Sequence, residues 1–310
     1  MLSSYHQHVD KVINEIEFLC PGLTKIRGKI GMTFDFQTPL KVTITMDNFI
    51  HDLLEECKDF LGVSTTPAKA SLFKVLDVDE LNPLLPTEMR ERFHSVVAKL
   101  LYASKRARWD LLTPVAFLTK RVINPQRDDL EKLKRTIQYI RGTQSLGVTL
   151  EVNDPITVTS YIDASYGVHH DLKSHTGCTI TLGKGTIYAK SSTQKLNTKS
   201  STEAELVAMS DGANQVIWTR NFLLEQHYQM GPAIIYQDNM STIQLIKNGK
   251  SNSERTRYIN IRYFFLTDRI KSGDVIVTYM KTEDMIADIL TKPIQGEPFR
   301  RLRNQLLNSN

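Results

Sequence analysis

The sequence predicts an α/β protein of two units, and three observations support this fold class. From about residue 155 onward, segments with the two-residue alternation of strands are interleaved with segments of helical spacing, which is typical of a mixed sheet covered by helices. Upstream, residues 87–142 carry helical spacing almost throughout. The length of 310 residues is enough for about two domains of roughly 150 residues each.

Composition is that of an ordinary globular protein. The hydrophobic share is 41%, and 15 glycines with 11 prolines are too few for a disordered or fibrous chain. No apolar run approaches the roughly 18 residues of a membrane span, and the first residues do not have the pattern of a secretory signal. Three scattered cysteines fit neither a disulfide framework nor a zinc site. We therefore expect an intracellular protein with no membrane partner.

The N-terminal part is predicted to form a short α/β piece. Residues 9–19 have helical spacing of apolar side chains. Residues 40–46 alternate as in a strand, and a helix capped by Asp47 or Asn48 follows. The segment 64–86 is rich in Pro, Asp and Ser, which favours an extended connector.

Residues 87–142 are predicted to form three helices in a compact bundle. The last of them ends at Arg141-Gly142, a basic last turn followed by a glycine stop. Over residues 88–142 there are 13 Lys and Arg against 6 Asp and Glu. This local surplus indicates either a polyanionic partner or a solvated helical surface.

After Gly142 the pattern becomes β-rich. The turn Gly183-Lys184-Gly185 between two alternating runs predicts a hairpin. A long helix is predicted over 201–226, and the order from residue 155 is β, β, β, α, β, α, α, β, α. This order predicts a mixed sheet with flanking helices.

Four acidic residues could form one site. Asp163 and Asp238 end two predicted strands, and ligands gather at the carboxyl ends of strands in α/β sheets. Glu205 lies in the first turn of the long helix, and Asp288 lies on the last helix. Hard divalent ions such as Mg²⁺ prefer such oxygen ligands. Two ions about 3.5–4 Å apart could activate water and stabilise the leaving oxygen of a phosphodiester.

Each acid also has a plain structural interpretation. Asp238 could cap the helix that follows it, and Thr202 with Glu205 has the spacing of a capping box. Asp288 could lie on a solvated face. Glu203 competes with Glu205, but the two lie about 200° apart around a helix and cannot face one site. Glu205 adjoins the apolar face and is preferred.

Four segments in this order resemble the ribonuclease H domain of copia-type LTR-retrotransposon Pol polyproteins. They are YIDAS (161–165), SSTEAELVAMS (200–210), YQDNMS (236–241) and ADILTKP (287–293). Upstream, residues 99–125 and 130–143 are similar to the helical thumb of the reverse transcriptase in the same polyproteins. The resemblance covers nearly the whole chain.

The resemblance implies a division into three parts. Residues 155–293 would be an RNase H-like mixed five-stranded sheet with flanking helices. Residues 1–150 would be an α+β remnant of the reverse-transcriptase palm and thumb. Residues 294–310 would be a C-terminal tail, which we expect to be a short helix that frays.

The resemblance also implies an activity. By position, Asp163, Glu205, Asp238 and Asp288 match the family's catalytic carboxylates and metal ligands. The implied reaction is hydrolysis of the RNA strand of RNA–DNA hybrids with two Mg²⁺ ions, for which Mn²⁺ can substitute. The implied partners are the hybrid and the rest of a Pol polyprotein, in a cytoplasmic virus-like particle or the nucleus. The expected nucleic-acid-binding residues are Lys105, Arg106, Arg108, Lys134, Arg135, Arg255 and Arg257.

The chain departs from the family in ways that leave an alternative open. There is no Tyr-x-Asp-Asp motif, so we expect no polymerase activity from this chain alone. Tyr258 stands where many relatives have His, which puts turnover in question. The alternative is a catalytically dead relic or a non-catalytic nucleic-acid-binding module.

Two further motifs are assigned structural roles. His169, His170 and His175 are predicted to lie in a polar surface loop and not to bind a metal ion. Trp218 and Phe222, four residues apart on the long helix, are predicted to pack in the core.

Overall fold

The computed structural model describes residues 25–27, 31–248 and 265–309, which are organised around two five-stranded sheets. The predicted helix 9–19 lies outside the described residues. No helix in this part of the chain is long and apolar enough to cross a membrane.

The first sheet is antiparallel and takes strands from both halves of the chain. Its strands are β1 Lys25–Arg27, β2 Thr33–Asp35, β3 Lys41–Thr45, β4 Val148–Val152 and β7 Gly183–Lys184, in the order β1-β2-β3-β4-β7. The strand predicted over 40–46 is confirmed as β3. β7 comes from the predicted hairpin turn, so the β-rich half of the chain supplies an edge strand to the first sheet.

Helices pack beside this sheet around a common core. They are α1 Asp47–Glu56, α2 Thr87–Ser104, α3 Leu112–Leu118 and α4 Arg127–Arg141. The three helices predicted within 87–142 are confirmed. The predicted cap of α1 is wrong, because its first turn has no side-chain cap and the Asp47 carboxylate accepts a hydrogen bond from Thr45 Oγ1 at 2.9 Å.

The second sheet is mixed, as predicted. Its strands are β5 Thr159–Ser165, β6 His175–Thr181, β8 Tyr188–Thr193, β9 Ala233–Gln237 and β10 Val275–Tyr279, in the order β10-β9-β5-β6-β8. β5, β6 and β8 pair antiparallel, whereas β5, β9 and β10 pair parallel. The carboxyl ends of β5 and β9 therefore lie side by side at one edge.

Helices cover one face of the second sheet. They are α5 Ser201–Glu225, α6 Met240–Asn248 and α7, which includes residues 265–271. Ile162 of β5 is buried against α5, where a Cβ at Gly212 would lie 2.6 Å from the Ile162 side chain. Glycine is therefore needed for this close approach. Because side chains alternate along a strand, Tyr161 and Asp163 point to the opposite face.

The C-terminal segment forms helix α8, Gly296–Leu307, and it is firmly packed. Phe299, Leu302 and Leu306 are buried in the core of the helical region, and the Phe299 ring lies 5.7 Å from that of Tyr139. The expectation that this helix frays was therefore wrong. Where the domains divide stays a prediction.

The expected burial of Trp218 and Phe222 was also wrong. Their side chains are 60% and 49% exposed, and their rings stack on each other with centroids 5.5 Å apart. α5 buries the face that carries Val216 and Leu223 against the sheet. Residues 218 and 222 lie on the face that the sheet does not cover.

The predicted polar surface loop holds for His170, which lies exposed in a turn, but not for the other two histidines. His169 and His175 are buried, and His169 Nε2 lies 2.9 Å from His175 Nδ1. His175 Nε2 also contacts Ser191 Oγ at 2.7 Å, and the Phe73 ring packs 4.8 Å from that of His169. The connector that carries Phe73 covers the pair, which a pattern local to the histidines could not reveal.

This burial predicts a stability loss at mildly acidic pH. Burial, together with the nearby Lys120, lowers the pKa of His169 to about 4; burial and then His169 lower the pKa of His175 to about 3. In the unfolded chain both pKa values return to near 6.5. The contribution of the two neutral histidines to folding stability is therefore complete above pH ~6.5, and it is lost as the pH falls toward their pKa values in the folded protein. We expect about 1–2 kcal/mol per histidine to be lost between pH 7 and pH 5. Urea unfolding at the two pH values tests this. An unchanged pH dependence in His169→Gln/His175→Gln would contradict it.

Candidate active site

Three acidic side chains meet at the carboxyl edge of the second sheet. Asp163 lies near the end of β5, Asp238 directly follows β9, and Glu205 lies in the second turn of α5. One carboxylate oxygen from each lies within 4.8 Å of the others. Asp163 and Glu205 are buried and Asp238 is half-buried. The parallel pairing of β5 with β9 is what brings the two aspartates together.

The cap of α5 explains why Glu205 and not Glu203 faces this group. The Ser200 hydroxyl accepts a hydrogen bond from the Glu203 backbone N–H at 3.2 Å, and the Glu203 carboxylate accepts one from the Lys199 N–H at 2.7 Å. Ser200 is therefore the N-cap of α5, and the predicted box of Thr202 with Glu205 was wrong. Glu205 has no capping role.

Asp238 does not cap the next helix either. The Asn239 side chain accepts the hydrogen bond from the Thr242 N–H at 3.0 Å and so begins α6. The Asp238 carboxylate instead accepts a hydrogen bond from Thr282 Oγ1 at 2.8 Å.

Asp288 lies in a 3₁₀ helix, Ile286–Leu290, and not in the predicted α-helix. Its side chain is buried, so the solvated-face interpretation does not apply. The 3₁₀ helix rests directly on β6, where a Cβ at Gly177 would lie 2.8 Å from the Ala287 carbonyl oxygen. This contact sets Asp288 beside Asp163.

Lys292 lies between these two acids, and the sequence pattern did not identify it as a site residue. Its Nζ lies 2.6 Å from Asp288 Oδ1 and 3.4 Å from Asp163 Oδ2. The only signal was its position four residues after Asp288, a spacing common to many surface ion pairs.

A second layer of side chains orients the acids. Gln237 Nε2 donates to Glu205 Oε2 at 3.1 Å and to the Ile162 carbonyl at 3.3 Å. Thr291 Oγ1 donates to Asp163 Oδ2. These groups restrict the carboxylates to one arrangement.

The electrostatics of the group favour a cation. Burial, then Asp163 and Asp238, raise the pKa of Glu205 well above its usual value. Burial and then Asp163 raise the pKa of Asp288 to about 7, against the opposing effect of Lys292. Burial lowers the pKa of Lys292, but Asp163 and Asp288 outweigh that effect and raise it. Crowded buried carboxylates resist ionisation together unless a positive charge lies among them.

The basic residues expected to contact nucleic acid have diverse surroundings. Arg108 is fully buried, with Nε and Nη2 donating to Asp110 at 3.0 and 2.8 Å, so this assignment is corrected to a structural role. Arg135 is tied to the connector by two hydrogen bonds to Thr66.

Three further basic candidates belong to the described helical region. Lys105 is exposed, Lys134 is half-buried, and the Arg106 guanidinium stacks 3.5 Å from the centre of the Tyr102 ring. Arg255 and Arg257, like Tyr258, lie outside the described residues.

Solved structures of ribonucleases H are among the similar folds. LC11-RNase H1, isolated from compost, has a TM-score of 0.34 and 13% identity, over 43% of this chain and 91% of that chain. RNase H1 from Halobacterium salinarum has a TM-score of 0.30 and 13% identity, over 49% of this chain and 98% of that one. No protein-family model matches the chain.

Sequence relatives include polyproteins of plant and yeast transposons. The Pol polyprotein from transposon TNT 1-94 of Nicotiana tabacum is 26% identical over an alignment of 302 residues that covers 89% of this chain. That from transposon RE2 of Arabidopsis thaliana is 31% identical over 71% of this chain, and the Ty1-JR1 Gag-Pol polyprotein of Saccharomyces cerevisiae is 25% identical over 90%. The chain spans 22%, 15% and 16% of their respective lengths. Over about nine-tenths of its length, the chain is thus homologous to retrotransposon Pol polyproteins of the copia/Ty1 type.

Proposed function

We propose that this chain hydrolyses the RNA strand of RNA–DNA hybrids, using divalent cations held by Asp163, Glu205, Asp238 and Asp288. The observation that carries the proposal is the meeting of three carboxylate oxygens within 4.8 Å, with Asp288 linked to them through Lys292. The resemblance of all four segments to the RNase H part of copia-type Pol supports the choice of substrate.

The donor set fits magnesium. Carboxylate oxygens are the ligands that hard divalent ions prefer, and no nitrogen or sulfur ligand from the described residues lies in the group. When bound, two such ions supply Lewis acidity that activates a water and stabilises the leaving oxygen of a phosphodiester. Asp163, Glu205, Asp238 and Asp288 would hold these ions through their carboxylate oxygens.

The neighbouring side chains have defined tasks in this scheme. Gln237 holds the Glu205 carboxylate through one of its oxygens, and Thr291 and Thr282 do the same for Asp163 and Asp238. The 2′-hydroxyl of RNA, which is both donor and acceptor, would distinguish the RNA strand from DNA.

Cleavage of an end-labelled RNA–DNA hybrid in Mg²⁺ tests the proposal. We expect cuts in the RNA strand only, with no cleavage of DNA or RNA duplexes of the same sequence. No cleavage by folded protein in Mg²⁺ or Mn²⁺ would contradict the enzymatic proposal and favour a nucleic-acid-binding role.

Lys292 has a distinct task before the ions bind. Its ammonium group bridges Asp288 and Asp163, so it supplies the positive charge that the crowded acids require. Its side chain is 40% exposed, and it can therefore leave toward solvent. We infer that Lys292 balances the metal-free site and competes with divalent ions for the same carboxylates.

This inference predicts opposite effects from one substitution. In Lys292→Met we expect the metal-free protein to lose about 1–2 kcal/mol of stability, because the acids lose a partly exposed counter-charge. We also expect the variant to bind Mg²⁺ several-fold more tightly, since nothing competes for the carboxylates. Thermal unfolding in chelator and during a Mg²⁺ titration measures both effects.

Lys281→Met is the control, because Lys281 is 72% exposed and its ion-pair partner is the surface residue Glu283. It should leave both quantities unchanged. Weaker Mg²⁺ binding by Lys292→Met would mean that Lys292 helps to hold the ions, which contradicts the inference.

A further inference from the structure

A cavity of about 860 Å³ lies on the face of the second sheet away from α5. Tyr161, Thr179 and Thr181 of β5 and β6 form its floor, and the hairpin turn 183–186 closes one side. Helix α8 forms the opposite wall. We call this cavity the α8 groove.

The lining of the α8 groove is strongly basic. Its positively charged side chains are Lys184, Arg300, Arg301 and Arg303, and Glu297 is the one carboxylate among the described lining residues. The remaining polar lining consists of threonine hydroxyls, the Tyr161 hydroxyl and the side-chain amides of Asn304, Gln305 and Asn308. Such a lining suits an anion that also accepts hydrogen bonds.

The ion pairs at the rim of the groove are weak. Arg300 contacts Glu297 at 2.6 Å, but these side chains are 56% and 73% exposed. Arg301 contacts Asp284 at 3.1 Å, with 39% and 52% exposure. Exposed pairs of this kind contribute about 1 kcal/mol or less, whereas arginine binds phosphate with two charge-assisted hydrogen bonds. A phosphate group can therefore replace either carboxylate at little cost.

The groove begins next to the acidic group. Tyr161 precedes Asp163 by two residues on the same face of β5, which separates them by about 7 Å. Ile286, which also lines the groove, precedes Asp288 by two residues. Tyr161 stacks on Tyr236 with ring centroids 5.2 Å apart, which offers an aromatic surface at this end. A strand bound at the acids would therefore bring its neighbouring part to the groove.

The dimensions favour a single strand. A volume of 860 Å³ is that of a small-molecule pocket, and a duplex is too wide for it. Arg300 and Asn304 line the groove on successive turns of α8, and Asn308 directly follows the helix. The three residues extend over about 12 Å, which is longer than one phosphate group needs.

We propose that the α8 groove binds the phosphates of a single-stranded segment that continues from the RNA–DNA hybrid. The proposal rests on the proposed function, because hybrid binding at the acids is what directs the strand into the groove. The ligand class is an unpaired polynucleotide, recognised through its backbone and not through its base sequence.

Fluorescence anisotropy of labelled hybrids tests the groove, with the full chain and with Ca²⁺ in place of Mg²⁺, because Ca²⁺ also binds carboxylates but not in the strict octahedral geometry of Mg²⁺. A blunt hybrid is compared with the same hybrid that carries an unpaired RNA or DNA extension. We expect the extension to tighten binding by about tenfold, and Arg300→Glu/Arg301→Glu to remove that gain. We also plot the logarithm of this gain in affinity against the logarithm of the salt concentration. In the variant the steepness of that plot should decrease by about 0.7 for each phosphate that is no longer neutralised.

Arg269→Glu/Lys271→Glu is the matched control, because it makes the same charge change on α7, where Arg269 also pairs with an aspartate, Asp274, at 3.3 Å. It should keep the gain. The proposal is overturned if the extension does not tighten binding to the parent protein, or if it still does so in Arg300→Glu/Arg301→Glu. It is also overturned if the control variant loses the tighter binding to the same extent.

Cleavage of the blunt hybrid separates this test from the proposed function. We expect Arg300→Glu/Arg301→Glu to cleave the blunt hybrid at the parental rate in Mg²⁺. If the parent binds the extension through the groove but cuts no hybrid, the groove is supported and the proposed activity is wrong.

Discussion

Asp163→Asn is expected to lower hybrid cleavage by more than ~100-fold and to remove the stabilisation of the protein by Mg²⁺. Asp163 contacts Lys292 and Thr291 and shares the 4.8 Å cluster with Glu205 and Asp238. Replacing even a second-layer partner of a metal typically costs 10–100-fold, so loss of a central ligand costs more. The asparagine has the same shape, and the effect will therefore report charge and not packing.

Two measurements on the same protein check this expectation. Cleavage rates give the loss of activity, and thermal unfolding with and without millimolar Mg²⁺ gives the loss of metal binding, because an ion that binds only the folded state stabilises it. Asp268→Asn, at an exposed aspartate of α7, should change neither. A Mg²⁺-dependent stabilisation that persists in Asp163→Asn would mean that the ions bind elsewhere.

Asp110→Ala is expected to destabilise the protein by about 3–5 kcal/mol, because it leaves the buried Arg108 charge without a counter-ion. Both side chains are fully buried, and Tyr139 Oη also donates to Asp110 Oδ2 at 2.7 Å. Arg108 Nη1 donates to the Thr143 carbonyl at 3.0 Å, which alone does not neutralise it. The pair lies where α4 meets the turn after α2, so its loss affects the core of the helical region.

The chain contains a matched control for this prediction. Arg92 and Asp59 form another arginine–aspartate pair, but their side chains are 40% and 52% exposed. We expect Asp59→Ala to cost about 1 kcal/mol or less in urea unfolding. Equal costs for Asp110→Ala and Asp59→Ala would show that burial of the first pair has no special weight. Arg108→Met/Asp110→Leu should recover much of the loss, because it removes both charges.

The second sheet and its acidic edge were largely predictable. The alternation that leads into β5 and the short apolar run of β9 are local signals of strands. That the carboxyl ends of these strands meet follows from the general geometry of α/β sheets. The meeting of Asp163 and Asp238 was therefore expected, although their catalytic role stays a prediction.

The partners of charged side chains were not predictable. Arg108 looked like one more residue of a basic surface, but a hydrogen-bonded aspartate two residues away and Tyr139 on α4 bury it. His169 and His175 looked exposed until Phe73, about a hundred residues upstream, covered them. In each case one deciding group, Tyr139 or Phe73, comes from a distant segment.

The sequence by itself determined the α/β class, the mixed sheet of the second half and the family resemblance, because these depend on local periodicity and on motif order. Only the tertiary structure decided that Ser200 caps α5 and leaves Glu205 to face the acids, that Lys292 lies between Asp288 and Asp163, and that α8 forms the wall of a basic groove. The physical reason is that burial and charge pairing depend on which surfaces meet in three dimensions, and spacing along one chain carries little information about that.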